Sequence, residues 1–347
     1  MRKKRIAIIG AGIWGQTHAS IYQEHPYVDL AGVCDVNEEK ARALAEKFHI
    51  PPEHVYNDHI KLLAECPFDI AAIVTPDFLH REPVIACAEH GKDIICEKPL
   101  ATTVKDVEDI MAVAKKTGVR IMVDLHNRFS PPFVRTKQAI DEGELGVPYH
   151  AYFRLNDIRY VATTMLPWAA KSSILWFLGS HSVDTLRWIM SSEVKRVYCV
   201  SRKGILSGMG VDVEDVYMTT LEFENGAVAQ MENGWITPDT HPCINDIKFN
   251  IMGTKGMINL DLSNSQLIER FTENACDHPD VLVKHFIHGQ AAGFSYQSIR
   301  YFVDRLIDGK PSLISLQDAA NTTLTLLAIM ESARTRMPVE VKLLPQE

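Results

Sequence analysis

Apolar residues fall in short unbroken runs through the first third of the chain. Residues 5–9, 30–34, 70–74, 93–96 and 119–123 each read as a strand buried on both faces. Between them the period lengthens to that of helices, as over residues 104–116, which Gly118 ends. Strands and helices in alternation predict a parallel sheet covered on both sides. After Asn127-Arg128-Phe129-Ser130-Pro131-Pro132 the texture changes: residues 149–157, 194–200, 216–223, 227–233, 246–252 and 257–260 read as strands, with Asn225-Gly226 as a hairpin turn. Helices are expected at 182–190, 295–308 and 316–334. Strands grouped in this way predict an α+β domain built on one large, mostly antiparallel sheet. The Pro131-Pro132 pair reads as a hinge or as an ordinary loop.

Composition narrows the classes. A chain of 347 residues, 46% hydrophobic and 23% charged, is ordinary globular material with room for two domains. A net charge of -8 argues against a broad nucleic-acid footprint, which would require a clustered basic surface. No apolar segment approaches the ~18 to 20 residues of a membrane span, so no membrane partner is expected. The basic cluster Met1-Arg2-Lys3-Lys4-Arg5 precedes an apolar run that breaks at Gly10, unlike a secretory signal. Seven cysteines, an odd number without a Cys-x-x-Cys pair, suit a reducing compartment, and a cytoplasmic location is expected.

The glycine-rich turn Gly10-Ala11-Gly12-Ile13-Trp14-Gly15 follows a strand and opens a helix. In that context it predicts a dinucleotide site: Gly10 permits the tight turn, Gly12 lets backbone approach the pyrophosphate, and Gly15 lets the helix pack on the sheet. The helix start, with Ile13 and Trp14, offers unpaired amides to phosphate. Asp35 ends the second strand, where a carboxylate would accept the adenosine ribose hydroxyls and repel a 2'-phosphate, so NAD is the expected cofactor. Asp35 equally suits the cap of the next helix, ahead of Val36-Asn37-Glu38-Glu39. Thr75-Pro76 would lie along the same crevice, or simply form a strand-ending turn. The domains are therefore drawn as a Rossmann-type α/β NAD-binding domain over 1–126 and an α+β substrate-binding and oligomerisation domain over 127–347.

Lys98, in Ile94-Ile95-Cys96-Glu97-Lys98-Pro99, stands at the carboxyl end of a strand, where open α/β sheets bind ligands. His278, His285 and His288 with Cys276 invite a metal reading, but no companion completes a tetrahedral set, and no metal is expected.

Further elements carry a resemblance. In order along the chain they are Gly10-x-Gly12-x-x-Gly15, Thr75-Pro76 with His80, Glu97-Lys98-Pro99, Asn127-x-Phe129, Gly143-x-Leu145-Gly146, Gly179-x-His181-x-x-Asp184, Glu214-Asp215, Gly253-Thr254-x-Gly256 and Ser332-Ala333-Arg334. Over almost its whole length the chain resembles the glucose-fructose oxidoreductase, inositol dehydrogenase and rhizopine-catabolism (Gfo/Idh/MocA) family. The resemblance implies oxidation of a secondary alcohol of a sugar, sugar derivative or cyclitol, or the reverse. It also implies Lys98 on the substrate hydroxyl, His181 as acid/base, and His80, Glu97, Lys98 and Asn127 beside the cofactor. An imidazole, with an unperturbed pKa near ~6.5, suits removal of a hydroxyl proton, and an ammonium stabilises the developing alkoxide. Substrate contacts are expected from Lys98, Asn127, Arg128, Arg154, Asn156, Asp157, Arg159, Tyr160, Trp168 and His181, at the domain junction or in the irregular segment before His181. A homodimer or homotetramer is the expected assembly.

One departure matters. Many members carry an aspartate four residues before the histidine, and this chain has Phe177 there; the glycines that often precede that aspartate read Lys171-Ser172-Ser173. Either the catalytic set is reduced to Lys98 and His181, the preferred reading, or the protein is an NAD-binding redox sensor without turnover. An NAD-dependent glycosidase on the same fold is a further alternative. Asp184, one helical turn beyond His181, could stand near its imidazole or be structural.

Overall fold

The computed structural model describes residues 3–263, 267–274 and 276–345. The chain forms two compact units, Met1–His126 with Phe286–Ala320 and Asn127–His285 with Asn321–Glu347. The sequence reading leaves the first domain for good at residue 126, whereas here the chain returns to it over 286–320.

In the first unit β1 (Lys4–Ile9), β2 (Val28–Cys34), β3 (Val55–Tyr56), β4 (Ile70–Ile73), β5 (Asp93–Cys96) and β6 (Ile121–Val123) form a parallel sheet in the order β3-β2-β1-β4-β5-β6. Every residue of β4 and β6 is buried, which explains why the strands show continuous apolar runs rather than alternation. The intervening helices are α1 (Ile13–Glu24), α2 (Glu38–Phe48), α3 (His59–Glu65), α4 (Arg81–Glu89) and α5 (Val104–Thr117). Side chains cap the starts of α2, α3 and α5: Asn37 accepts from Lys40, Asp58 from Ile60 and Thr103 from Asp106. Gly118, in the left-handed region at φ 70°, ends α5. Because β1 has β2 on one side and β4 on the other, the strand order reverses at β1, and the crevice of such a sheet opens at the carboxyl ends of β1 and β4.

In the second unit α6 (Pro131–Asp141), β7 (Pro148–Asp157), α7 (Ser180–Met190), β8 (Val194–Arg202), α8 (Ile205–Gly208), β9 (Val216–Phe223), β10 (Val228–Gly234), β11 (Asn245–Gly253) and β12 (Met257–Asp261) follow in order. Two short hairpins come next, β13 (Arg270–Phe271) with β14 (Cys276–Asp277) and β15 (His285–Ile287) with β16 (Gln290–Ala292). Helix α9 (Phe294–Asp308) belongs to the first unit. Its Ser298 hydroxyl donates to Asp124 at 2.6 Å, and Arg120 donates to the carbonyls of Arg305 and Leu306 in its last turn, where a cation is favoured. These bonds explain the return of the chain. Helix α10 (Leu316–Thr335) and β17 (Val339–Glu340) close the chain.

The second sheet runs β12-β11-β7-β10-β9-β8-β17, with β7 and β10 parallel and the other neighbours antiparallel. Its inner face alternates with its outer one, placing Phe153, Leu155, Leu221, Met231 and Phe249 in a core with Phe133, Val183, Leu186, Leu326 and Ile329 of α6, α7 and α10. Gly226, at φ 86°, makes the hairpin between β9 and β10 that Asn225-Gly226 predicts. Pro131 and Pro132 prove to be neither hinge nor loop; they open α6, where a missing N–H costs nothing and the fixed φ is already helical. His285 lies on a strand and His288 has φ 51°.

Phe133, Phe153 and Phe249 meet with ring centroids 5.5–5.6 Å apart at the centre of this core. Phe153→Ala should therefore cost about 3–5 kcal/mol, read as a lower urea midpoint of the second unit; a loss under 1 kcal/mol would show that the cluster carries little of the stability.

Candidate active site

The turn after β1 is built where backbone meets backbone. Gly10 has φ 110°, and a Cβ there would lie 2.5 Å from the Val74 carbonyl oxygen; one on Gly15 would lie 2.1 Å from the carbonyl oxygen of Gly10. A Cβ on Gly12 would meet nothing within 4 Å, so this glycine faces open space at the start of α1. The first turn of α1 holds no acidic residue, and the Gly12 cap makes no side-chain bond, which suits a helix start that meets an anion. Ile13 is exposed and Trp14 half-buried beside them. Asp35 stands at the end of β2 and accepts from the amide of Ala11 at 2.7 Å and of Asn37 at 2.8 Å. The cap of α2 is Asn37, so Asp35 serves the glycine turn instead. A tight turn, an open glycine, a bare helix start and a carboxylate fixed beside them fit the pyrophosphate and ribose of a dinucleotide.

Around the ends of β4 and β5 the polar side chains turn inward. His80 is buried ahead of α4, with Nδ1 2.7 Å from the Pro99 carbonyl and Nε2 3.0 Å from that of Thr75. Burial pushes this imidazole down, against the opposing pull of the Pro99 and Thr75 carbonyls and of Asp77 and Glu97. Glu97 is also buried, and His18 Nε2 donates to it at 2.9 Å while the Tyr22 hydroxyl lies 2.7 Å from His18 Nδ1. Burial pushes the Glu97 carboxyl up, but the bond from His18 and the charges of His18, Lys98 and His126 outweigh it and hold it below its ordinary value. Burial, then Glu97 and Asp124, raise the Tyr22 phenol. The side chains of His80 and Glu97, expected beside the cofactor, thus bond within the protein, to the Pro99 and Thr75 carbonyls and to His18. The Thr75 hydroxyl donates to Leu79 at 3.3 Å. Lys98 is half-buried between Glu97 and a cis-bonded Pro99.

The second unit presents His181, buried in the first turn of α7, where a π-helical turn (Leu175–Gly179) runs into the helix. The residues that follow it are tied down one by one. Ser182 accepts from Asn233 at 3.1 Å, Thr185 from Asn127 at 3.1 Å, and Asp184 takes both arms of Arg128, at 2.9 and 2.6 Å. Arg187 continues the ladder with two 2.6 Å bonds to Glu193 and one of 2.9 Å to Thr322. Asp184 therefore faces Arg128, which is the structural role left open for it.

The remaining expected substrate residues do not gather at one place. Arg154 pairs with Asp246 at 2.9 Å and Asn156 donates to Glu232 at 2.7 Å, both on side chains that alternate with the core-facing Phe153 and Leu155 and so leave the sheet away from α7. Glu232 also accepts from the Tyr152 hydroxyl, and burial with this carboxylate raises that phenol to about 12. Asp157 is buried and holds the Asn245 amide; Arg159 donates to the Ile236 carbonyl at 3.2 Å, and Tyr160 is exposed. Trp168 meets Phe177 edge to face, centroids 6.5 Å apart, in the segment leading to His181. Missed in the sequence were His18 and Tyr22, although they lie four residues apart on α1, and Asp124 and His126, which follow the last strand of the first sheet. Among the described residues, no three His, Cys, Asp or Glu side chains converge on a metal position, and no helix is long and apolar enough to cross a membrane.

Comparison with known proteins covers both units. Residues 4–125 match the model of an oxidoreductase family with an NAD-binding Rossmann fold, and residues 133–259 match the GFO/IDH/MocA C-terminal domain. The chain is 25% identical over 341 residues to a myo-inositol 2-dehydrogenase of Thermotoga maritima, covering 97% of this chain and 98% of that one. It is 26% identical to a scyllo-inositol 2-dehydrogenase (NAD(+)) of Bacillus subtilis, covering 97% and 96%. In fold it is similar to a scyllo-inositol dehydrogenase from Lactobacillus casei, solved with NAD(H) and scyllo-inositol, at a TM-score of 0.83, 18% identity and coverage of 98% and 99%. With the glycine turn and Asp35 in the first unit, the mixed sheet in the second and both family models in register with them, the chain belongs to the Gfo/Idh/MocA family of NAD-binding oxidoreductases.

Proposed function

We propose that this protein is an NAD-dependent dehydrogenase acting on a secondary alcohol of a cyclitol, a sugar or a sugar derivative. The observation that carries the reading is the placement of Lys98 at the carboxyl end of β5, in the sheet whose β1 turn fits a dinucleotide. NAD, when bound, accepts the hydride from the carbinol carbon or returns it. The glycine turn and the amides opening α1 hold its pyrophosphate, and Asp35 receives the ribose hydroxyls and disfavours a 2'-phosphate. His181 takes the hydroxyl proton, and Lys98 offsets the negative charge that develops on the oxygen. The cyclitol and sugar specificity is supported by the inositol dehydrogenases among the relatives.

Phe177 favours a second reading. It stands one turn before His181, packed on Trp168, where it neither accepts a hydroxyl proton nor orients an imidazole. A protein with that substitution could bind NAD as a redox sensor. Nicotinamide absorbance with a panel of inositols and sugars separates the two: reduction of NAD by at least one polyol is expected, and saturable NAD binding without any turnover across the panel would favour the sensor. Free sugar released from a glycoside without net NADH would instead indicate a glycosidase. With a substrate in hand, Lys98→Ala and His181→Ala should each lower turnover by about 10²- to 10⁴-fold while NAD affinity is kept, and an unchanged rate in either variant removes that residue from the chemistry.

The homo-oligomer is part of the same proposal, with a second copy as the occupant of the outer face of the second sheet. Across that face Tyr198, Val200, Met218 and Val228 are each more than 40% exposed, with Val200 opposite Met218 in the register. Strand register sets them among paired charges of both signs, Arg196 with Glu222 and Lys248 with Asp261. A face carrying its own acids and bases is complementary to itself under a two-fold axis. Light scattering after size exclusion should give a dimer or tetramer that Met218→Arg dissociates; a wild-type monomer at micromolar concentration rules the assembly out.

A further inference from the structure

We infer that His18 and His80 are positioning residues for Lys98, one fixing the chain immediately before it and the other immediately after. The inference rests on the proposed role of Lys98. On the near side, Glu97 is anchored twice: its amide donates to Ile73 of β4 at 2.9 Å, and its carboxylate accepts from His18 of α1 at 2.9 Å, a ring backed by Tyr22 at 2.7 Å. On the far side, the Pro99 carbonyl lies 2.7 Å from His80 Nδ1, and the other nitrogen of the same ring reaches the Thr75 carbonyl at 3.0 Å. His80 thus ties the turn after β5 to the turn after β4. All five side chains concerned, those of His18, Tyr22, His80, Glu97 and Pro99, are buried.

The chemistry explains why histidine is used. Both partners of His80 are carbonyl oxygens, which accept but never donate. A ring bonded to both must carry a proton on each nitrogen, the form that the two carbonyls, Asp77 and Glu97 favour against burial. At position 18 one ring nitrogen donates to the Glu97 carboxylate and the other meets the Tyr22 hydroxyl, which can give or take a proton, so a single planar group holds both partners. Lys98 itself is a flexible four-carbon arm, so where its ammonium stands depends on how firmly residues 97 and 99 are held. A displacement of about 1 Å at a reacting group can cost about 10²-fold in rate.

The test uses the full chain and three readouts. His80→Ala should lower kcat by about 10-fold or more and leave the KM for NAD within about threefold, as expected of a loss felt in the transition state. His80→Asn, whose amide nitrogen can take the place of Nδ1, should restore most of that loss; His18→Gln should likewise outperform His18→Leu. In a Lys98→Ala background His80→Ala should add almost nothing, because residues that act through one another are not additive. Independently of turnover, acylation of Lys98 in cofactor-free protein, followed by peptide mass spectrometry against Lys40 as reference, should change severalfold in His80→Ala. Full additivity with Lys98→Ala, or Lys98 labelling that matches the wild type in both His80→Ala and His18→Leu, overturns the inference. Should His18→Leu fail to fold, Glu97→Gln removes the same charge-assisted bond and takes its place. A null effect of Lys98→Ala alone refutes the proposed role of the lysine, and the labelling then still decides whether the two histidines hold it.

Discussion

The turn after β1 has no room for a side chain, and the organisation of the first unit follows from that. With only 2.5 Å between a would-be Cβ at Gly10 and the Val74 oxygen, the ends of β1 and β4 meet through bare backbone. The same restriction at Gly15 pulls α1 down onto the turn. Once α1 is seated, His18, three residues further along it, falls within reach of Glu97, and the Asp35 carboxylate falls within reach of the Ala11 amide. A cofactor cradle and a lysine platform therefore come from one close approach. Any Cβ at Gly10 or Gly15 would push apart elements whose other contacts assume it is missing.

The second unit solves its positioning problem with buried charge. Arg128, Asp184, Arg187 and Glu193 run as a ladder along α7, with both ends of each arginine fork engaged. Burying such groups adds little net stability compared with a well-packed apolar seam. What it adds is direction: an apolar stripe tolerates a small rotation of the helix about its axis, whereas a two-point guanidinium–carboxylate bond does not. The rotation of α7 decides where His181 is presented, so a costly arrangement sits where angular precision is worth more than stability.

How much of this could be read from the chain depends on the range of the interaction. Most of the long strands and helices were readable, because buried parallel strands, Gly118 at the end of α5 and Asn225-Gly226 are local signals; α6, which opens at Pro131-Pro132, was not. Residues 216–223 are a strand in both readings. The glycine turn and Asp35 were readable for the same reason. What could not be read was which way polar side chains point. His80 and Glu97 sit beside the right turns yet face inward, onto carbonyls and His18, since nothing local distinguishes a buried polar partner from a cofactor. Arg154 and Asn156 share a strand with core residues, and only the pleat shows that they leave it on the far side from α7. The return of 286–320 to the first unit depends on Arg120 and Asp124 finding α9 from more than 170 residues away, which no window of sequence contains.

Phe177 gains a physical context from these constraints. A carboxylate one turn before the histidine would hold the imidazole directly. Here the backbone beneath the ring is held instead, because Ser182, Asp184 and Thr185, all within four residues of His181, are bonded, the first to Asn233 of β10 and the other two to Arg128 and Asn127 ahead of α6. Phe177 itself packs edge to face on Trp168 in the segment leading to the helix. The bonds that hold this helix run through Asn233, Arg128 and Asn127 and not through position 177, so an aromatic residue there leaves the placement of the helix untouched.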